Sequence, residues 1–172
     1  MASIGHIAVG MAFGRAYSRD PVVAKRAMWA FSALSMWPDA DAIGFVFHVP
    51  YASTFGHRGA THSLVVALVL GALAWPLAKR WGLPARRTAI FATIVATSHG
   101  LLDTMTYGGG HGCALFWPFT DARYWAAFRF IPIAPIGAGM LSPMGVHVMM
   151  AELIIFLPFW AYALMPRRRA ES

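Results

Sequence analysis

"WPDADAIGF", residues 37–45, lies inside an apolar run, residues 27–47, that otherwise reads as a membrane span. Two carboxylates, Asp39 and Asp41, stand two positions apart behind Pro38. An ionised carboxylate in hydrocarbon is costly unless it finds a partner, so ionisable residues at membrane depth mark functional sites. Proline removes a backbone hydrogen bond and kinks a helix, which makes room for a ligand. If 27–47 is a span, its two acids must be met by polar groups on other helices at the same depth.

The rest of the chain supports a membrane setting. Its 172 residues are 58% hydrophobic and 12% charged, against about 25% charged in an ordinary soluble domain. The length suits one domain, 1–172. A single cysteine, Cys113, excludes an internal disulfide, a cysteine zinc site and a thiolate-held iron–sulfur cluster. The net charge of +7 is read as orienting the chain in a membrane and not as a nucleic-acid footprint. The N-terminal "MASIGHIAVGMAFGR" has no basic n-region and reads as no cleavable signal peptide.

Four stretches are long enough to read as full spans: 27–47, 63–78 extended by a few residues, 88–107 and 145–165. A shorter stretch, 4–17, reads as a short or half-inserted helix. The expectation is an all-α integral membrane protein with four full transmembrane helices and that short N-terminal helix. Residues 108–143, rich in Gly, Pro and aromatics, read as an outward-facing loop. Arg15, Arg19, Lys25, Arg26, Lys79, Arg80, Arg86, Arg87, Arg167, Arg168 and Arg169 fall on one side, and Arg58, Arg123 and Arg129 on the other. The positive-inside rule makes the first set, and with it the C-terminus, cytoplasmic. Counting about 1.5 Å per residue from that side puts His6, Asp39, Asp41, His62, His99 and Asp103 about 17–24 Å up, in the outer half of the bilayer.

These residues carry recognisable chemistry. His99 and Asp103 are spaced i, i+4 and share a helix face. His57 and His62 flank Arg58, Gly59 and Thr61 in a turn, with Thr61 placed to cap the helix that follows. Imidazoles and carboxylates without thiolates suit Zn²⁺ or Mn²⁺, with Fe²⁺ also compatible. The ligand set read from the sequence is His6, Asp39, Asp41, His57, His62, His99 and Asp103, enough for one or two ions. Arg58 is suited to stabilising an anionic transition state, and His57 or Asp41 to acid–base work. Arg58, Thr61, Asp121 and Arg123 are the candidate substrate contacts. His48, His111 and His147 fit interface or interhelical roles, and Glu152 reads as a structural acid.

"GHIAVG" (5–10), "PDAD" (38–41), "HRGATHS" (57–63), "SHGLLDTMT" (98–106) and "FWPFTDARYW" (116–125) follow one another in an order that resembles the YdjM-like family. That family is described as LexA-regulated, inner-membrane, metal-dependent hydrolases. The resemblance runs over residues 4–130 and implies roles for His6, Asp39, Asp41, His57, Arg58, Thr61, His62, His99, Asp103 and the "PFTD" stretch. The expectation is an inner-membrane hydrolase that cleaves a lipid or lipid-linked phosphoester with metal-activated water, its site facing the extracytoplasmic side. The alternative is a cation, proton or metal transporter using the same cluster. Against it stand the absence of an inverted repeat and the apolar run 64–78, which offers no polar relay. A haem protein is disfavoured because haem iron does not take Asp as an axial ligand.

Overall fold

The computed structural model describes residues 3–166, so the basic triplet Arg167, Arg168 and Arg169 lies outside the described residues. Among the described residues six α-helices form the body: α1 (Ser3–Tyr17), α2 (Pro21–Met36), α3 (Leu64–Arg80), α4 (Ala85–Thr104), α5 (Pro143–Ile155) and α6 (Leu157–Leu164). Two short strands, β1 (Thr106–Tyr107) and β2 (Ile131–Pro132), pair in parallel with Thr106 opposite Ile131.

The opening stretch is not part of a continuous α-helical span. α2 ends at Met36, and Trp37–Phe47 forms a 3-10 helix of 11 residues. Pro38 is the physical reason: it has no N–H to give, and its ring clashes with the carbonyl four residues back. The Trp37 N–H turns to the Leu34 carbonyl, a tighter i to i−3 bond. The 3-10 helix stops at His48, which adopts the left-handed conformation at φ 58°.

The expectation of four full transmembrane helices is overturned. No single helix among the described residues is both long and apolar enough to cross a membrane. α3 is a helix of 17 residues, and α4 spends its first turn on Arg86 and Arg87. The stretch 145–165 breaks between α5 and α6, which meet at 62°; only together does this pair reach the length and apolarity of a span. Pro158, in the first turn of α6, cannot continue the preceding ladder.

Helix starts follow local chemistry. The Asp20 carboxylate accepts from Val23 N–H at 2.8 Å, and Pro21 sits at the first position of α2. At α3 the cap is Ser63, which accepts from Val66 N–H at 3.1 Å. Thr61, the residue expected to cap it, is engaged elsewhere.

α1 packs most extensively on α2, and α3 on α4. Gly10 and Gly14, four apart on α1, permit the first contact. A Cβ at Gly14 would lie 2.3 Å from the Met28 main chain, and one at Gly10 would lie 2.6 Å from Ser32. Gly14→Ala is therefore expected to destabilise the protein by about 1–3 kcal/mol through overpacking. Chemical unfolding should register the loss while metal content per folded chain stays unchanged.

α1 and α3 begin, and α2 and α4 finish, at the same end of the bundle, where the 3-10 helix, the 48–63 loop and segment 105–142 gather. Arg15 marks the other end; its guanidinium donates to the Ala163 and Met165 carbonyls at the close of α6. Leu68, Val69 and Leu73 on α3, Ile90 and Ile94 on α4, and Ile154 on α5 are exposed. Apolar faces of this kind suit lipid contact.

Candidate metal centre

The loop-covered end of the bundle gathers four side chains from three places in the sequence. Asp39 comes from the 3-10 helix, His62 from the turn before α3, and His99 and Asp103 from the last turns of α4. The Nε2 atoms of His62 and His99 lie 3.0 Å apart. Asp39 Oδ1 is 3.6 Å from His62 Nε2 and 3.4 Å from His99 Nε2. Asp103 Oδ2 is 3.5 Å from His62 Nε2 and 4.0 Å from His99 Nε2. A tetrahedral ion with metal–ligand bonds near 2.1 Å places its ligand atoms about 3.4 Å apart, so these spacings bracket a metal-sized hole.

Hydrogen bonding around the two imidazoles points the same way. His99 Nδ1 is 2.6 Å from the Ser35 carbonyl, which can only accept, so the proton sits on Nδ1. Thr61 donates its hydroxyl to Asp41 Oδ2 at 2.6 Å and is left to accept from His62 Nδ1 at 3.0 Å. With both Nδ1 atoms protonated, the two Nε2 lone pairs face each other across 3.0 Å. Such an arrangement requires a proton or a cation between them, and partners on the far nitrogen are the usual device for aiming a histidine at a metal. The donor set fits a divalent ion such as zinc or manganese.

Asp41 stands behind this group. Its carboxylate accepts from His57 Nδ1 at 2.7 Å and from the Arg58 backbone N–H at 3.2 Å, and lies 3.2 Å from His62 Nδ1. Asp41, His57 and His62 form a second cluster compact enough for an ion, but these bonds already occupy its inward-facing atoms. His6 is fully buried, with its ring stacked on His99 at 3.7 Å between centroids and its Nε2 at 3.5 Å from Asp103 Oδ1. It borders the four-residue group without joining it, and neither of its nitrogens has a hydrogen-bond partner among the described residues.

Arg58 is 1% exposed. It sits at φ 62°, a left-handed conformation costly for a side chain this large. Its Nε pairs with Asp103 Oδ2 at 3.0 Å, and Nη1 donates to Thr106 Oγ1 at 3.0 Å. The guanidinium also lies over the Trp125 ring at 5.6 Å. Burial works against its charge, but the Asp103 carboxylate and the other acidic groups nearby together outweigh this and hold its pKa above the usual value. Cys113 is buried too; burial, reinforced by Asp103, pushes its thiol up and keeps it neutral.

Asp121 is exposed and accepts from Thr54 Oγ1 at 3.0 Å. Arg123 gives its guanidinium to the carbonyls of Tyr51, Ser53, His57 and Gly112, which staples the loop that carries His57 and Arg58. Glu152 is buried and accepts from Gly5 N–H at 3.1 Å, fastening α5 to the first turn of α1 beside His6. His48, His111 and His147 are exposed.

The motifs did not single out Ser35, Thr106 or Tyr51. Ser35 acts through its main-chain carbonyl, which no residue pattern announces. Thr106 follows Asp103 by three and hydrogen-bonds its carbonyl, a spacing visible within "SHGLLDTMT". Tyr51 lines a cavity of about 650 Å³ together with the polar Asp39, His57 and Arg58 and the apolar Ile133, Ile136 and Met140. Burial raises the pKa of its phenol.

Fold and site together define a small helical protein with apolar faces and a buried His/Asp cluster able to hold a divalent ion next to an open cavity. The chain belongs to the YdjM family: the family model for "YdjM inner membrane protein" matches residues 1–170. It is 39% identical over 160 residues to the inner membrane protein YbcI of Escherichia coli (strain K12), an alignment that covers 90% of each chain. No solved structure matches it.

Proposed function

We propose that this protein is a metal-dependent hydrolase of the inner membrane that cleaves a lipid or lipid-linked phosphoester. The observation that carries this reading is the pair of Nε2 atoms 3.0 Å apart with Asp39 and Asp103 beside them. Asp39, His62, His99 and Asp103 would hold the ion, which when bound supplies Lewis-acid activation of water and of a phosphoryl oxygen.

The remaining residues have distinct tasks. Ser35 and the Thr61–Asp41 pair fix the tautomers of His99 and His62. Asp41 holds His57 through Nδ1 and leaves Nε2 to exchange a proton with a substrate in the cavity. Arg58 neutralises Asp103 and brings positive charge to the cavity wall, where a phosphate would lie. The surplus of basic residues at the opposite end of the bundle supports an extracytoplasmic site.

The test is metal analysis of protein purified without chelator, beside His62→Ala, followed by phosphate release from phospholipids and lipid phosphates with Zn²⁺ or Mn²⁺ added back. Wild type should retain one ion per chain and the variant nearly none, with hydrolysis following the metal. A wild type without stoichiometric metal would overturn the reading. So would a metal-loaded protein that hydrolyses nothing yet conducts cations in liposomes, which would establish the transport alternative.

A further inference from the structure

The cavity beside the metal centre has two unlike walls. One is polar and carries Asp39, Tyr51, His57 and Arg58. The other is apolar, and its core is Ile133, Pro135, Ile136 and Met140, in the segment that follows β2. The two walls are joined by hydrogen bonds. The Ile133 N–H donates to the Tyr107 carbonyl at 2.8 Å, and β1, which contains Tyr107, begins at Thr106, the hydroxyl partner of Arg58. Ile133 also packs against the glycine run, where a Cβ on Gly110 would meet its Cδ1 at 2.8 Å.

The apolar wall does not close. Ile136 is 48% exposed, and beyond it Leu141 is 86% and Met144 62% exposed. An apolar strip therefore runs from the metal ligands, along the cavity, to the outside of a protein of an inner-membrane family. A cavity of about 650 Å³ holds a drug-sized molecule, enough for a headgroup and the near part of an aliphatic chain.

Resting on the hydrolase reading above, we propose that the substrate is a phosphoester with an aliphatic chain, bound with its phosphate at Arg58 and His57 and its chain along Ile133, Ile136 and Met140. The chain leaves the cavity past Leu141 toward the bilayer, so the substrate enters sideways from the lipid and not from water.

The test uses the full-length protein in amphipol and a series of n-alkylphosphonates from methyl to octyl, with binding followed by calorimetry and metal content measured on the same sample. Affinity should rise about fourfold per methylene while the chain lies on the wall. Ile136→Asn, at a half-exposed position, and Met140→Gln should each flatten this rise and leave methylphosphonate binding and metal content unchanged. A flat series in the wild type overturns the chain site, whether or not metal is bound. A steep series that both variants retain also overturns it, because the chain then lies elsewhere. Metal content reports separately on the hydrolase reading.

Discussion

Asp103→Asn should empty the metal centre and destabilise the protein by about 3–5 kcal/mol, the cost of breaking a buried ion pair by removing one partner. The size of the effect follows from what Asp103 touches. Its Oδ2 lies 3.0 Å from the Arg58 Nε and 3.5 Å from the His62 Nε2, and its Oδ1 lies 3.5 Å from His6. An amide there no longer balances a guanidinium that is 1% exposed, and it is a poor ligand for zinc or manganese. Metal counting and chemical unfolding of the metal-free protein separate the two losses. Replacing both partners, Arg58→Met with Asp103→Leu, should recover much of the stability without recovering the metal, since an apolar pair of similar volume needs no counter-charge. A single Asp103→Asn variant that keeps its ion and unfolds within about 1 kcal/mol of wild type would contradict the central place given to this carboxylate.

Gly100→Ala should be nearly as damaging, although this residue ligates nothing. A Cβ there would stand 2.4 Å from the His62 carbonyl oxygen and 3.3 Å from Leu115. The first contact is with backbone, so the turn that holds His62 must move away from α4, which carries His99. Misplacing a reacting group by about 1 Å costs roughly a hundredfold in rate, and overpacking adds about 1–3 kcal/mol of destabilisation. Metal affinity, and with it the proposed hydrolysis, should therefore collapse in a protein that still folds. Gly14→Ala makes the useful contrast, since it strains a helix contact far from the site and should leave metal content intact. Equal metal content in the two variants would show that the His62 turn is not set by its contact with Gly100.

The sequence made the cluster legible because its members come as short patterns. The i, i+4 spacing of His99 and Asp103, the "HRGATHS" turn and the paired acids after Pro38 each restrict where a side chain can go, and the structure brings Asp39, His62, His99 and Asp103 together. The direction of Arg58 was not legible. Its left-handed backbone turns the side chain inward to Asp103, and nothing in a residue pattern announces that conformation outside glycine. Hydropathy misjudged the spans for a related reason. An average over 27–47 or 145–165 passes over a single proline, while Pro38 and Pro158 each decide where an α-helical ladder stops. The role of Glu152 as the acceptor for Gly5 N–H depends on α5 folding back onto α1, a long-range contact that local sequence does not encode.

The tight winding of Trp37–Phe47 has one further consequence. With 3.0 residues per turn, positions two apart point about 120° from each other, so Asp39 and Asp41 leave the backbone in different directions. Asp39 reaches the Nε2 side of His62 and Asp41 reaches its Nδ1 side. The stretch from 39 to 41 thus works as a caliper whose jaws are set to the width of a single imidazole ring. Inserting or deleting one residue between the jaws would leave both acids in the chain and return one edge of His62 to neither of them.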